Sequence, residues 1–315
     1  VKKNIVTLTM NPAIDTSAAV RQVVAERKLR CSSPRREPGG GGINVSRAIR
    51  ILGGDSLALY PSGGPTGKLL QELLSSEGID HRPLSVEPLT RENFTILEES
   101  SNRQFRFVTP GSKLRGKEWE EILRVIFQIK PPPFFLVVSG SLPPGVPEDF
   151  FARLAAKSAE LDIRVIVDTS GAPLRQAARG GIFLLKPNLR ELKELAGGEI
   201  QGEADQVKAA RTLIDKKKSE VVVVSLGAAG ALAIWGQNSL RFRAPAVPIS
   251  SRVGAGDSMV AGIVLSLARG MELEEAVRFG VAAGAAAVMT PGTELCRRDD
   301  TERLYNALRK EKGRK

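Results

Sequence analysis

Between Ser251 and Ser258 the chain reads Ser-Arg-Val-Gly-Ala-Gly-Asp-Ser, so the carboxylate of Asp257 arrives directly after Gly254, Ala255 and Gly256. An apolar run from Met259 to Ala268 follows, long enough for a buried helix. Small residues ahead of a helix let backbone N–H groups come close to a ligand, and a helix start favours negative charge. A carboxylate at that same start can take a proton from a hydroxyl held against the anion site. Phosphoryl transfer to an alcohol requires both parts: amides for the charge on the moving group and a carboxylate for the nucleophile. The same string also suits a plain helix entry with an acidic first turn, so its meaning depends on what the rest of the chain supplies.

Four glycines, Gly39 to Gly42, precede Ile43-Asn44-Val45, with Ile43, Ala48, Ile49 and Leu52 then available for packing until Gly53-Gly54 stops the helix. Neither the Gly-Lys-Ser/Thr of a P-loop nor the dinucleotide fingerprint is present. Close backbone approach to a polyol, with Asn44 offering its amide to hydroxyls, is the favoured reading; a purely structural helix entry is the alternative. Asp15 follows a strand expected over 4–10 and stopped by Pro12, where open sheets put ligand groups, although Asp is also common in turns. Asn188 and Glu191, three apart at a helix start, share a face. They suit Mg²⁺ held largely through water, or equally a helix cap. Arg91 and Arg106 lie on strands expected to pair as a hairpin, where two arginines can fork onto a phosphate or simply stay solvated. His81, the sole histidine, is expected in a loop, and histidine-based catalysis is not indicated.

The elements that must position these residues alternate between strand and helix. Apolar runs at 57–61, 134–138, 165–167, 182–185 and 221–224 read as strands, and an amphipathic helix is expected over 114–129. Further helices are expected over 66–77, 147–161, 203–217 and, rich in Ala and Gly, 273–289, where small side chains permit contact with a flat ring or another helix. Continuous apolar strands alternating with helices indicate a parallel sheet covered on both faces. Polar residues collect just after those strands, at Ser139-Gly140-Ser141, Asp168, Lys186 and Ser225-Leu226-Gly227, which is where ligands bind in such folds. Residues 16–38 and 90–109 are expected to form a small extra sheet outside the main one, inserted in a chain, 1–315, that suits one large domain or two smaller ones.

Composition is that of an ordinary soluble enzyme: 315 residues, 42% hydrophobic and 26% charged. Lys2-Lys3-Asn4 leads straight into a strand-like segment, with no signal-peptide pattern and no apolar stretch fit to span a bilayer. Cys31 and Cys296 suggest neither a disulfide framework nor a zinc site, which fits a reduced cytoplasm. The net charge of +11 invites nucleic acid, but the basic residues are dispersed among acids and no nucleic-acid-binding motif is present. Positive charge equally suits an enzyme with phosphorylated substrates. The basic tail from Arg309 to Lys315 is expected to be a frayed, solvated end.

With these residues assembled, the chain resembles the PfkB (ribokinase-like) carbohydrate kinases along essentially its whole length. Within that family it is most similar to the phosphofructokinase branch, on Lys28-Leu29-Arg30-Cys31, Glu37 to Val45, Arg106-Phe107-Val108 and Val277 to Gly284. The resemblance implies a three-layer α/β/α domain with a mostly parallel central sheet, a β-sheet lid and dimerisation through the lids. It implies transfer from MgATP to fructose 6-phosphate, with tagatose 6-phosphate or fructose 1-phosphate as alternative acceptors. A nucleoside or unphosphorylated-sugar kinase, and a nucleic-acid- or phosphate-binding protein on an inactive kinase fold, are further alternatives. By position, Asp15, Gly39, Gly40 and Asn44 would hold sugar hydroxyls, and Lys28, Arg91, Arg106 and Ser141 would surround the sugar phosphate. Lys186, Asn188, Glu191, Ser225 and Gly227 would serve ATP and its Mg²⁺, with Glu191 reaching the metal through water. Asp257 would take the C1 hydroxyl proton while the amides of Gly254 to Gly256 stabilise the phosphoryl group; a loose transition state asks nothing of its pKa. Two departures stand out. Arg252 occupies a position where members usually have a small residue, and it either points away or adds a phosphate contact. Thr290 and Glu294 replace residues beside a backbone K⁺ site, which leaves activation by K⁺ open.

Overall fold

A computed structural model describes residues 4–312. The chain begins with β1 (Ile5–Leu8), two strands β2 (Ala13–Val20) and β3 (Arg35–Gly39), helix α1 (Gly41–Ile51), β4 (Leu57–Ser62), α2 (Gly64–Ser76) and β5 (Asp80–Ser85). A hairpin, β6 (Arg91–Glu98) and β7 (Arg103–Phe107), leads to α3 (Gly116–Phe127), β8 (Phe135–Ser139), α4 (Phe150–Ala159), β9 (Arg164–Asp168) and α5 (Gly171–Ala177). Then come β10 (Ile182–Leu185), α6 (Leu189–Ala196), α7 (Glu203–Asp215), β11 (Ser219–Ser225), β12 (Ala231–Trp235) and β13 (Asn238–Phe242). Three helices close the chain: α8 (Ala255–Ala268), α9 (Leu273–Val288) and α10 (Arg298–Lys312).

Nine strands form one sheet in the order β13-β12-β11-β10-β9-β8-β1-β4-β5, parallel throughout except for β12 and β13. Its strands are apolar on both sides because both faces are covered. In β11, Val221 and Val223 pack toward α1, α8, α9 and α10, while Val222 and Val224 pack toward α3 to α7. The result is three layers. Parallel pairing also aligns the carboxyl ends: Ser139 sits opposite Asp168, and a bridge joins Asn188 to Ser225. The polar residues noted after separate strands therefore share one edge.

A separate four-stranded sheet has the order β3-β2-β6-β7, with β2 and β6 parallel and the outer pairs antiparallel. The lid thus spans more of the chain than expected at its start, since β2 opens at Ala13, and less in the middle, where 21–34 is loop. Asp15 belongs to this lid strand rather than to the end of β1, which stops at Leu8. Other expectations need correction. His81 lies on β5, stacked on Tyr60, and not in a loop. Two further strands join the sheet: β12 is an apolar run that the sequence reading passes over, and β13 is too polar to stand out. Arg309 and Lys310 continue α10 rather than fraying; Lys2, Lys3 and residues 313–315 lie outside the described residues. Among the described residues no helix is long and apolar enough to cross a membrane.

The Ala- and Gly-rich run of α9 packs against α8 along its length. A Cβ on Gly262 would come within 2.9 Å of the Gly280 Cα, and one on Gly280 within 2.7 Å of the Met259 carbonyl oxygen. These helices touch through backbone, which holds the first turn of α8 against the sheet edge. Gly280→Ala should therefore cost about 1–3 kcal/mol of stability through overpacking, read as a lower urea midpoint. Gly116→Ala, on an open helix start with nothing within 4 Å, should leave that midpoint unchanged or higher.

Candidate active site

Gly254 caps α8 in the left-handed region at φ 73°, where a side chain would be strained, and Leu295 fills the space beside it. The first N–H groups of the helix have no partner within it, and Ala255 and Gly256 of its first turn line a cavity. Asn44 on α1 donates from Nδ2 to Asp257 Oδ2 at 3.0 Å, and Ser139 at the end of β8 donates to Oδ1 at 3.4 Å. Burial, reinforced by the neighbouring charge of Asp168, raises the Asp257 pKa to about 6, against support from Asn44, Lys186 and Ser139. The late-acting base expected from sequence thus comes with a raised pKa. Burial of the carboxyl decides this, and no spacing pattern reports it.

Directly beneath the first turn lies a buried ion pair. Lys186 Nζ is 3.1 Å from Asp168 Oδ1, and a Cβ on Gly256 would sit 3.7 Å from that ammonium and 3.9 Å from Asp168 Oδ2. Burial opposes the Lys186 charge, but Asp168, helped by Glu191 and Asp257, outweighs it and holds the amine above its usual range. Asn188 and Glu191 form the helix cap that was the plainer reading: each side chain accepts from the other's backbone N–H, at 2.9 and 2.8 Å. Burial nevertheless raises the Glu191 pKa, with Lys186 pulling the other way. Among the described residues no cluster of three or more metal-ligating side chains exists. One or two carboxylates suffice for Mg²⁺ that keeps most of its waters, and Glu191 and Asp168 are carboxylates of that kind.

Ser225 and Gly227 line a cavity of 620 Å³ between the 225–230 turn, the 244–252 segment and the α8–α9 pair. Val281, Gly284 and Ala285 form one wall, so the small residues of α9 serve both a helix contact and an open slot. Arg252 lines it too. Thr290 donates to the carbonyls of Ala287 and Glu294, and the Glu294 carboxylate pairs with Arg35 and Arg297.

On the lid side, Asp15 accepts from Asn93 Nδ2 at 2.8 Å, and Gly39 lies so close that any Cβ would overlap the Asp15 carboxylate. Burial raises the Asp15 pKa, opposed by the Asn93 bond and the charges of Arg91, Arg106 and Arg47. Gly40, at φ 111°, turns the chain from β3 into α1. Arg91 is half-buried and donates to the carbonyl of Asn11 at 3.0 Å and to that of Thr109, so it is fixed rather than solvated; its Nε is buried without a partner. Arg106 is exposed on β7. Ser141 is exposed and accepts from Asn11 Nδ2 at 3.1 Å. Lys28 is exposed on the 21–34 loop, and among the described residues no hydrogen bond or ion pair joins it to Asp15.

Three residues of this site escaped the sequence reading as candidates. Asp168 and Ser139 were visible only as polar strand ends, a signal that could have found them. Asn93, two residues after Arg91 and facing Asp15 across the β2–β6 pairing, had no signal before that register was known.

Residues 3–300 match the pfkB family carbohydrate kinase as a family. The ATP-dependent 6-phosphofructokinase isozyme 2 of Mycobacterium tuberculosis is 47% identical over 304 residues, covering 96% of this chain and 89% of that protein. Its counterpart in Escherichia coli is 44% identical over 305 residues, covering 96% and 98%. The crystal structure of the Escherichia coli phosphofructokinase-2 in complex with fructose-6-phosphate superposes with a TM-score of 0.92 at 42% identity, covering 97% of this chain and 99% of that one. The aligned strand ends, the glycine-capped helix and its half-sunk carboxylate therefore have their explanation: the chain belongs to the PfkB family of carbohydrate kinases and is a phosphotransferase.

Proposed function

We propose that this chain transfers the terminal phosphoryl group of ATP to the C1 hydroxyl of fructose 6-phosphate, giving fructose 1,6-bisphosphate and ADP. The observation that carries the reading is the meeting of Asp257, a glycine-capped helix start and Asn44 at one sheet edge. Similarity to 6-phosphofructokinases at 44–47% identity favours this acceptor over other sugar phosphates. Asp257 takes the hydroxyl proton, and its pKa near 6 leaves it charged at neutral pH yet able to accept. The amides of Gly254, Ala255 and Gly256 receive the charge of the moving phosphoryl group.

Asp15, Gly39, Gly40 and Asn44 hold the sugar hydroxyls, with Asn93 fixing the Asp15 carboxylate. Arg91, Arg106, Lys28 and Ser141 receive the sugar phosphate. ATP lies along Ser225 and Gly227, and Lys186 and Asn188 border its phosphates. Mg²⁺ supplies charge neutralisation for those phosphates, held through Glu191 with water between. The two free cysteines suit the reducing cytoplasm expected from sequence.

The lid carries Phe94 and Phe107 as a cross-strand pair, 43% and 56% exposed, with Val108 61% exposed beside them. A second copy of the chain covering this apolar group gives the homodimer. Phe107→Glu should then sediment as a monomer where the unaltered chain sediments as a dimer; a dimer unaffected by the charge would place the interface elsewhere.

Coupled ADP release across fructose 6-phosphate, tagatose 6-phosphate and fructose 1-phosphate tests the acceptor, and the highest kcat/KM should fall to the first. A higher value for either of the others would reassign it. In the same assay Asp257→Asn should lose about 10²–10⁴-fold in turnover while sugar binding, read by calorimetry, stays near normal. Activity should fall as pH drops through about 6, where the Asp257 carboxylate gains its proton. Because the Asn44 bond supports the charged form, Asn44→Ala should move that acid limb to higher pH. Titration of the sugar phosphate itself would leave the limb where it was.

A further inference from the structure

The 620 Å³ cavity is apolar over most of its wall, from Ala244, Val247 and Ile249 across to Val281 and Val288. Arg252 is the one ionisable residue lining it. Its side chain is exposed, and among the described residues no carboxylate pairs with the guanidinium. Other cations around the nucleotide end are engaged: Lys186 with Asp168, Arg190 with Glu194 and Arg241 with Glu203. Arg252 also stands two residues before the cap of α8, so its backbone lies within about 7 Å of Gly254.

A slot that is apolar along its length, with a single unpaired cation near a helix start, suits a ligand with a flat apolar part and an anionic tail. Guanidinium groups are weakly hydrated and present forked donors that match phosphate oxygens. We propose that Arg252 binds the phosphate chain of the nucleotide and sets nucleotide affinity, an inference that rests on the kinase reading above. Arg252 supplies in this chain a free cation that Lys186, locked in its buried pair, cannot supply by moving.

Calorimetry on the full chain with ADP and with adenosine tests this, using the unaltered protein, Arg252→Ala and Arg252→Lys. Arg252→Ala should bind ADP about tenfold more weakly and adenosine unchanged, with the KM for sugar phosphate also unchanged. Arg252→Lys, which keeps the charge without the fork, should recover part of the loss. Equal losses for ADP and adenosine would overturn the proposal, as would unchanged ADP binding or a raised KM for the sugar phosphate alone. Failure of the unaltered protein to bind ADP would instead defeat the kinase reading itself.

Discussion

A negative charge at Asp257 has to be tolerated inside protein and near a second carboxylate, Asp168, and much of the site is arranged around that constraint. Burial and Asp168 oppose ionisation; Asn44, Lys186 and Ser139 support it. Each supporter comes from a different element: α1, the connection after β10, and the end of β8. The carboxylate therefore acquires its surroundings only when the carboxyl edge of the sheet is assembled. The Asn44 hydrogen bond is the largest of these supports, followed by the charge of Lys186, which keeps its own proton because of Asp168, Glu191 and Asp257. The balance leaves Asp257 charged at neutral pH but not strongly so, which is the condition under which a carboxylate can give up its charge to a proton.

The lid is bound to this centre through its root. Glu37 on β3 is buried and accepts from Arg47, Arg35 and the hydroxyl of Thr293. Arg47 in turn donates to both oxygens of Glu77 and to the carbonyl of Pro38. Arg47 and Asn44 are neighbours on α1, so one short helix holds both the lid root and the Asp257 carboxylate. Thr293 belongs to the same loop as Leu295, which packs against Gly254. Buried charges of this kind add little net stability but penalise any arrangement that unpairs them. Their effect here is to fix the orientation of the small sheet over the large one.

The strand ends, the parallel sheet, the lid hairpin and the glycine-capped α8 were legible in the sequence because each rests on local rules. Short, β-branched apolar runs such as 221–224 read as buried strands, glycines before a helix permit close approach, and alternation over 91–98 shows a sheet with one exposed face. β5 and β13 were not legible, since edge strands tolerate polar residues and lose the apolar run, whereas the apolar run of β12 was there to be read.

What the sequence by itself determined was therefore the layer architecture and the family, with Asp257, Asn44, Lys186 and Arg91 singled out as candidates. Only the tertiary structure decided that Asn44 bonds Asp257, that Asn188 and Glu191 cap one another, and that Asp168 and Asn93 belong to the site. The physical reason is range. Helix caps and apolar periodicity act within a few residues, whereas partners such as Asn44 and Asp257 are 213 residues apart and meet only through the register of strands between them.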